Sequence, residues 1–285
     1  MIGVSSYSFG DYFEKLGAKG IMEKAKEIGF NAIEFAELGV KGDKNFLIDT
    51  AKKYKEYAEE AGIEIINFAT AGDMSEFVLG GNCIEDEINR LQGMVDVAEA
   101  LGVDKMRHDI AWGVKNCFDL KVFYAELPKY VMACREITKY AEQKGIKTMF
   151  ENHGHFVQQT ERVQCILEEV NHPNFGLLLD MGNFICADQN HFNSVKTLAK
   201  YAFHVHAKDF YIKPYNCPDE EGFVRTLGGN LRQGCALGEG QINPAKCIEI
   251  IKDMGYKGNI ALEYEGRGDK IEGIRKGFTV LKENW

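Results

Sequence analysis

The chain is 285 residues long, 45% hydrophobic and 11% aromatic, and its 43 acidic against 34 basic side chains leave a formal charge of −9. That is ample apolar material for a large core, while the negative charge argues against unaided binding to nucleic acid, which needs a basic face. No stretch approaches the ~18 uncharged apolar residues of a membrane span, so neither nucleic acid nor a membrane is an expected partner.

The first predicted strand is IGVSSYSF (2–9), ending at Tyr7 and Phe9, and a helical pattern covers 11–29. Strand 2, AIEFAE (32–37), brings Glu34 and Glu37 and is followed by a helix over 45–61. Strand 3 (64–70) leads into a helix over 83–101, where apolar residues 84, 88, 91, 94, 95, 98 and 101 fall mostly at three- and four-residue steps. Strand 4 (105–111) carries Arg107 and His108, with Trp112 just beyond, before a helix over 119–144. Strands 5 (147–153), 6 (175–181), 7 (202–209) and 8 (259–265) are followed in turn by helical patterns at 158–171, 190–200, 243–255 and 269–283. Gly29, Gly62, Gly102, Gly145, Asn171 and Gly255 mark helix ends.

Eight strand–helix units without a composition break predict one domain over 1–285, a (β/α)8 TIM barrel. The rival, a doubly wound open sheet, requires a G-x-G-x-x-G turn after strand 1, and SYSFGDYF is not one. A long loop after strand 7, residues 210–242, holds two of the five prolines and six glycines. Loops of that length are usually functional, and this one leaves the end of the barrel where active sites form, so it is expected to cover a substrate.

The eight cysteines, at 83, 117, 134, 165, 186, 217, 235 and 247, form no C-x-x-C pair and are expected to be reduced thiols. Residues 1–20 lack a basic start followed by an apolar run, so no signal peptide is expected and a cytoplasmic location follows.

Four side chains stand out at the ends of strands 5 to 8: Glu151, Asp180, His206 and Glu263. Each follows a hydrophobic run, where an isolated charge costs several kcal/mol unless it is paired or bound. Strand alternation lets all four point inward together. Three carboxylates and one imidazole suit one divalent ion, Mn2+ above all, with Mg2+, Co2+ and Zn2+ as alternatives, better than a closed structural zinc site. His204 reads as a barrel histidine satisfied by a partner, and Glu34 as pairing inside the barrel. Glu265 shares the inward face with Glu263, which lies deeper and is preferred.

Further residues are candidates for touching substrate. His153 follows Glu151 on the same face, Lys208 ends strand 7 inward, and Asn183 follows Asp180 closely. His108 and Trp112 lie at the end of strand 4, Trp112 with a ring suited to stacking on an apolar face of a ligand. Arg225, Arg232 and Arg267 are the nearest cations for an anionic group, each also readable as a solvated charge.

The segments FENHG (150–154), LLLDMGN (177–183), HVHAKD (204–209), LGEGQIN (237–243) and GYKGNIALEYEG (255–266), in this order, give the chain its resemblance to the xylose isomerase-like barrels, in particular their sugar and sugar-phosphate isomerase and epimerase branch. The resemblance implies that Glu151, Asp180, His206 and Glu263 ligate the metal, and that Glu151 and Glu263 also form the acid/base pair. Asn183 departs from the histidine many relatives carry at its position. Barrels of this family often associate, so a homo-oligomer is expected, with a small carbohydrate as partner.

A divalent ion supplies a Lewis acid for such a substrate, and removal of the proton beside a ketone gives an enediolate. Return of the proton on the other side is epimerisation, return to the next carbon is isomerisation, and loss of a β-hydroxyl is dehydration, as of an inosose. The ligands alone do not choose among these. A phosphodiesterase-type barrel is disfavoured by only seven histidines and the charge of −9, and a non-catalytic sugar-binding barrel by the intact ligand set.

Overall fold

The computed structural model describes residues 1–75, 83–112, 114 and 119–285. Eight parallel strands close on themselves: β1 (Ile2–Ser5), β2 (Ala32–Ala36), β3 (Glu64–Thr70), β4 (Lys105–His108), β5 (Lys147–Glu151), β6 (Phe175–Asp180), β7 (Ala202–Ala207) and β11 (Ile260–Leu262). The circle is sealed by β1 lying between β11 and β2, with Gly3 opposite both Ala261 and Ala32. This is the (β/α)8 barrel expected from the sequence.

Among the described residues eight α-helices surround it: α1 (Asp11–Ile28), α2 (Lys44–Ala61), α3 (Ile84–Leu101), α4 (Leu120–Glu142), α5 (Thr160–Val170), α6 (His191–Leu198), α7 (Pro244–Asp253) and α8 (Lys270–Asn284). Several begin where a side chain takes up a free backbone N–H, as Asp43 does for Phe46, Asn190 for Asn193 and Asp269 for Glu272. Gly62 and Asn171 close α2 and α5 in the left-handed region, at φ 63° and 43°. The expected helix bounds all hold to within two residues, but α1 is interrupted at Gly17, whose φ of 67° breaks the turn.

Apolar side chains fill the layer between strands and helices: Ile33, Phe35, Phe68, Met106, Phe150, Leu179 and Val205 are all buried there. The barrel interior is polar at its centre, where Glu34, Asn67, His204 and His206 are buried together. The β2–β3 register shifts between Ile33 and Glu34, the kind of irregularity that re-aims a side chain.

Three expectations need correction. Strand 1 stops at Ser5, and a 3-10 turn over Ser6–Phe9 follows, leaving Tyr7 exposed and Phe9 buried. The eighth barrel strand ends at Leu262, so Glu263 and Glu265 stand just beyond it. The segment after strand 7 is not irregular: β8 (Asp209–Lys213), β9 (Val224–Arg225) and β10 (Leu231–Cys235) form a small antiparallel sheet in the order β8-β10-β9.

Two aspartates anchor this sheet to the barrel. Asp209 accepts the backbone N–H groups of Phe210, Gly238, Gly240 and Ile242 at 2.9–3.0 Å. Asp188 accepts from Thr226 and Asn230 at 2.7 Å and from the amide of Gly228. The glycines and prolines that obscured the strands supply the turns between them. The described cysteines are all unbridged; Cys117 lies outside the described residues. No helix among those described is long and apolar enough to cross a membrane.

Candidate metal centre

The ends of β5, β6 and β7, with the residue after β11, bring Glu151, Asp180, His206 and Glu263 together: one donor atom from each lies within 4.8 Å of the others. From Nδ1 of His206 the distances are 3.9 Å to Glu151 Oε1, 3.8 Å to Asp180 Oδ2 and 3.6 Å to Glu263 Oε2. Metal–oxygen bonds of about 2.1 Å in an octahedron separate donors by about 3 to 4.2 Å, so the quartet has the span of a ligand shell.

Three of the ligand candidates are oriented by contacts outside the quartet. Asp180 Oδ1 accepts the backbone N–H groups of Gly182 and Asn183, both at 2.8 Å. Glu151 Oε2 pairs with Arg107 at 2.6 Å, and its Oε1 accepts from the Asn183 amide at 2.8 Å. His206 directs Nε2 at Glu34 Oε1, 2.7 Å away, a carboxylate–imidazole contact that fixes ring and tautomer in metal sites. What remains is Asp180 Oδ2, His206 Nδ1 and Glu263 Oε2, three buried atoms that face one another, the two oxygens with the Lys208 ammonium against them and the imidazole nitrogen without a hydrogen-bond partner among the described residues. A buried nitrogen is rarely left so. The residues fit a divalent cation. Glu34 with His204 and His206 forms a second close group, but its contacts of 2.7 and 2.9 Å are hydrogen bonds.

Lys208 lies against the quartet, with Nζ 3.0 Å from Asp180 Oδ2, in contact with Glu263 Oε2, and hydrogen-bonded to Glu265 Oε1 at 2.8 Å. Burial, reinforced by the charges of Glu151 and Glu263, pushes the Asp180 carboxyl up to about 7 despite Lys208. Burial acts on Glu263 in the same direction, yet Lys208 and His206 hold it well below the usual carboxylate range. His206 is raised well above an ordinary imidazole because Glu34 and Glu263 outweigh its burial. The proton it holds on Nδ1 competes with a metal for the same lone pair.

The candidate substrate contacts divide. Trp112 and His153 line a cavity of about 300 Å³ over the quartet, together with Tyr7, Arg107, Lys208 and Glu265. His153 places Nδ1 3.0 Å from Asp109 Oδ1, which raises its pKa despite burial. Asn183 spends its amide on Glu151, and Lys208 sits among the carboxylates of Asp180, Glu263 and Glu265. His108 is not brought to the cavity. It is fully buried with Phe150 and Phe175 on the helix-facing side of the sheet, because its neighbour Arg107 takes the inward position in β4.

Arg107 and Asp109 are the residues that sequence reasoning undervalued. The guanidinium bridges Asp109 at 2.8 Å and Glu151 at 2.6 Å, and it is almost wholly buried. The alternating R-x-D at the end of strand 4 was the available signal. Arg225 and Arg267 are engaged on the surface with Asp219 and Glu221.

The sequence profile of the xylose isomerase-like TIM barrel family matches residues 22–284. A human protein called putative hydroxypyruvate isomerase is 23% identical over 287 aligned positions, 95% of this chain and 91% of that one. An inosose dehydratase of Geobacillus thermodenitrificans is 27% identical over 128 positions, 44% of this chain and 42% of that one. The crystal structure of D-allulose 3-epimerase from Methylomonas sp. in complex with D-allulose superposes with a TM-score of 0.73 at 16% identity, covering 100% of this chain and 96% of that one.

Proposed function

Because the chain belongs to the xylose isomerase-like TIM barrel family, we propose that it is a divalent-metal-dependent isomerase or epimerase of a sugar, keto-sugar or sugar phosphate. Glu151, Asp180, His206 and Glu263 are its ligand set in this reading, within one catalytic domain spanning 1–285. The observation that carries it is the convergence of one donor atom from each of the four residues to within 4.8 Å of one another, under an open cavity.

With manganese, or alternatively magnesium, cobalt or zinc, in place, the site gains a Lewis acid for a ketone oxygen and the hydroxyl beside it. The chain's own residues do the rest. Glu151 and Glu263 take and return the proton on the carbon next to the carbonyl, through an enediolate. Arg107 and Asn183 hold the Glu151 carboxylate in place from both oxygens. Trp112 and Tyr7 offer the cavity two aromatic faces for the substrate, and Lys208 balances part of the carboxylate charge.

A second reading, dehydration of a keto-polyol such as an inosose, is favoured by the partial likeness to an inosose dehydratase and by His153. A protonated imidazole held by Asp109 in the same cavity can deliver a proton to a departing hydroxyl.

The test is incubation of manganese-loaded protein with ketoses and inososes in heavy water. Deuterium entering the carbon beside the carbonyl, with a new sugar and no enone absorbance, supports isomerisation or epimerisation. An enone band supports dehydration. A protein that holds manganese yet exchanges no deuterium with any substrate of the panel overturns both.

A further inference from the structure

A second cavity, of about 210 Å³, adjoins the one over the quartet and shares Trp112, His153 and Glu265 with it. His155, Gln158, Asn183 and Arg232 add to its polar lining. Arg232 comes from β10, the central strand of the excursion's sheet. Its side chain is only 20% exposed, and its guanidinium lies over the Phe210 ring with Cζ 4.9 Å from the ring centre.

This cation is poorly spent. Its Nε is buried without a hydrogen-bond partner among the described residues. The carboxylate it faces, Glu265, keeps Oε2 at 3.9 Å from Nη1, out of hydrogen-bond reach, and commits Oε1 to Lys208 at 2.8 Å. A guanidinium presents donors in a planar fork that matches a carboxylate or phosphate, and leaving them unmade in a partly buried site is costly. Neighbouring arginines do not behave this way. Arg225 donates to Asp219 and to the carbonyls of Tyr215, Cys217 and Gly229, and Arg267 to Glu221.

We propose that this second cavity is an oxyanion subsite, that Arg232 grips there the carboxylate or phosphate at the far end of the substrate, and that the substrate is therefore an acidic ketose and not a neutral sugar. The assignment rests on the metal-site reading above, since the quartet fixes where the reacting carbonyl lies. The Lys208 ammonium, hydrogen-bonded to Glu265 Oε1, offsets part of the negative charge that this carboxylate turns toward the anion. Asp188, by tying down Thr226, Gly228 and Asn230 at the β9–β10 turn, sets Arg232 in place before any ligand arrives. A group ordered in advance costs less to engage.

The experiment is calorimetric binding of three six-carbon ketones to the manganese-loaded protein: D-fructose, which is neutral, 5-keto-D-gluconate, which carries a carboxylate, and D-fructose 6-phosphate. The expected result is at least tenfold tighter binding of one or both anions than of fructose, with the favoured one distinguishing carboxylate from phosphate. In Arg232→Gln the ratio falls to about two or less, and in Arg232→Lys it is intermediate, as a point charge without the fork predicts. Equal affinities in the wild type, no binding of either anion at 10 mM, or an anion preference that survives in Arg232→Gln each overturns the proposal. Manganese content measured on the same samples separates the two readings: a protein that takes up none overturns the proposed function, whereas one that is loaded but shows no anion preference overturns only the role of Arg232.

Discussion

Nε2 of His206 lies 2.7 Å from Oε1 of Glu34, while Oε2 of the same carboxylate receives His204 at 2.9 Å and Asn67 at 3.1 Å. A carboxylate only accepts, so both imidazoles turn an Nε2 proton toward it, which leaves Nδ1 of His206 to face Glu151, Asp180 and Glu263. Burial opposes ionisation of Glu34, but the two histidines hold its pKa well below the ordinary value. Replacing it with glutamine offers an amide that can also donate, and the tautomer is no longer dictated. Manganese affinity of Glu34→Gln should fall about 10–100-fold, read by competition with a fluorescent chelator. Undiminished affinity would remove Glu34 from the account of the site.

Glu263 and Glu265 are distinguished by what each touches. Both touch Lys208, but Glu263 places Oε2 3.6 Å from Nδ1 of His206 within the quartet, whereas Glu265 stands beside the quartet and reaches toward Arg232. Glu263→Gln should therefore bind less than a tenth of the manganese held by wild type under equal dialysis, and Glu265→Gln should stay near stoichiometric. Elemental analysis decides, and the reverse pattern would make Glu265 the ligand.

The barrel was legible because its signals are local and repeated: glycine closing a helix, then an apolar strand, eight times over. The quartet was legible for a related reason, since Glu151, Asp180 and His206 each end an apolar run in which a charge is anomalous. What was hidden depends on contacts between distant strands. Glu34 reads alone as one acid in β2, and only closure of the ring brings it 172 positions along the chain to His206. Arg107 and His108 look equivalent in sequence, and a single residue of strand phase sends one to Glu151 and the other beneath Phe175. The small sheet after strand 7 escaped notice because its strands are short and its order comes from buried Asp209 and Asp188, not from periodicity.

The position of His108 makes an acid-stability prediction. Burial lowers its pKa below 6.5, and Nε2 has no hydrogen-bond partner among the described residues, while Nδ1 faces the Asp109 carbonyl at 3.0 Å. The folded protein thus resists a proton that the unfolded chain accepts. Stability from this group is whole above pH 6.5 and is lost as pH falls below it, at a slope of up to about 1.4 kcal/mol per pH unit. Urea unfolding of wild type and His108→Leu from pH 7.5 to 5 should show wild type losing more stability over that interval. Parallel curves would mean that His108 titrates the same way in both states.

Asp209 offers the sharpest test of how the excursion is held. Its two oxygens accept four backbone N–H groups, from Phe210, Gly238, Gly240 and Ile242, and the side chain is 1% exposed. Water cannot replace all four acceptors at once, and each donor left unsatisfied costs roughly 1–3 kcal/mol. Asp209→Ala should lose at least about 3 kcal/mol of unfolding free energy, and Asp209→Asn should also lose stability because an amide turns one acceptor into a donor aimed at N–H groups. Hydrogen exchange separates a local from a global effect. The amides of Gly238, Gly240 and Ile242 should exchange faster in Asp209→Asn, while those of β3 and β4, across the barrel from β7, keep their protection. If all amides accelerate together, Asp209 supports the whole barrel and not the excursion in particular.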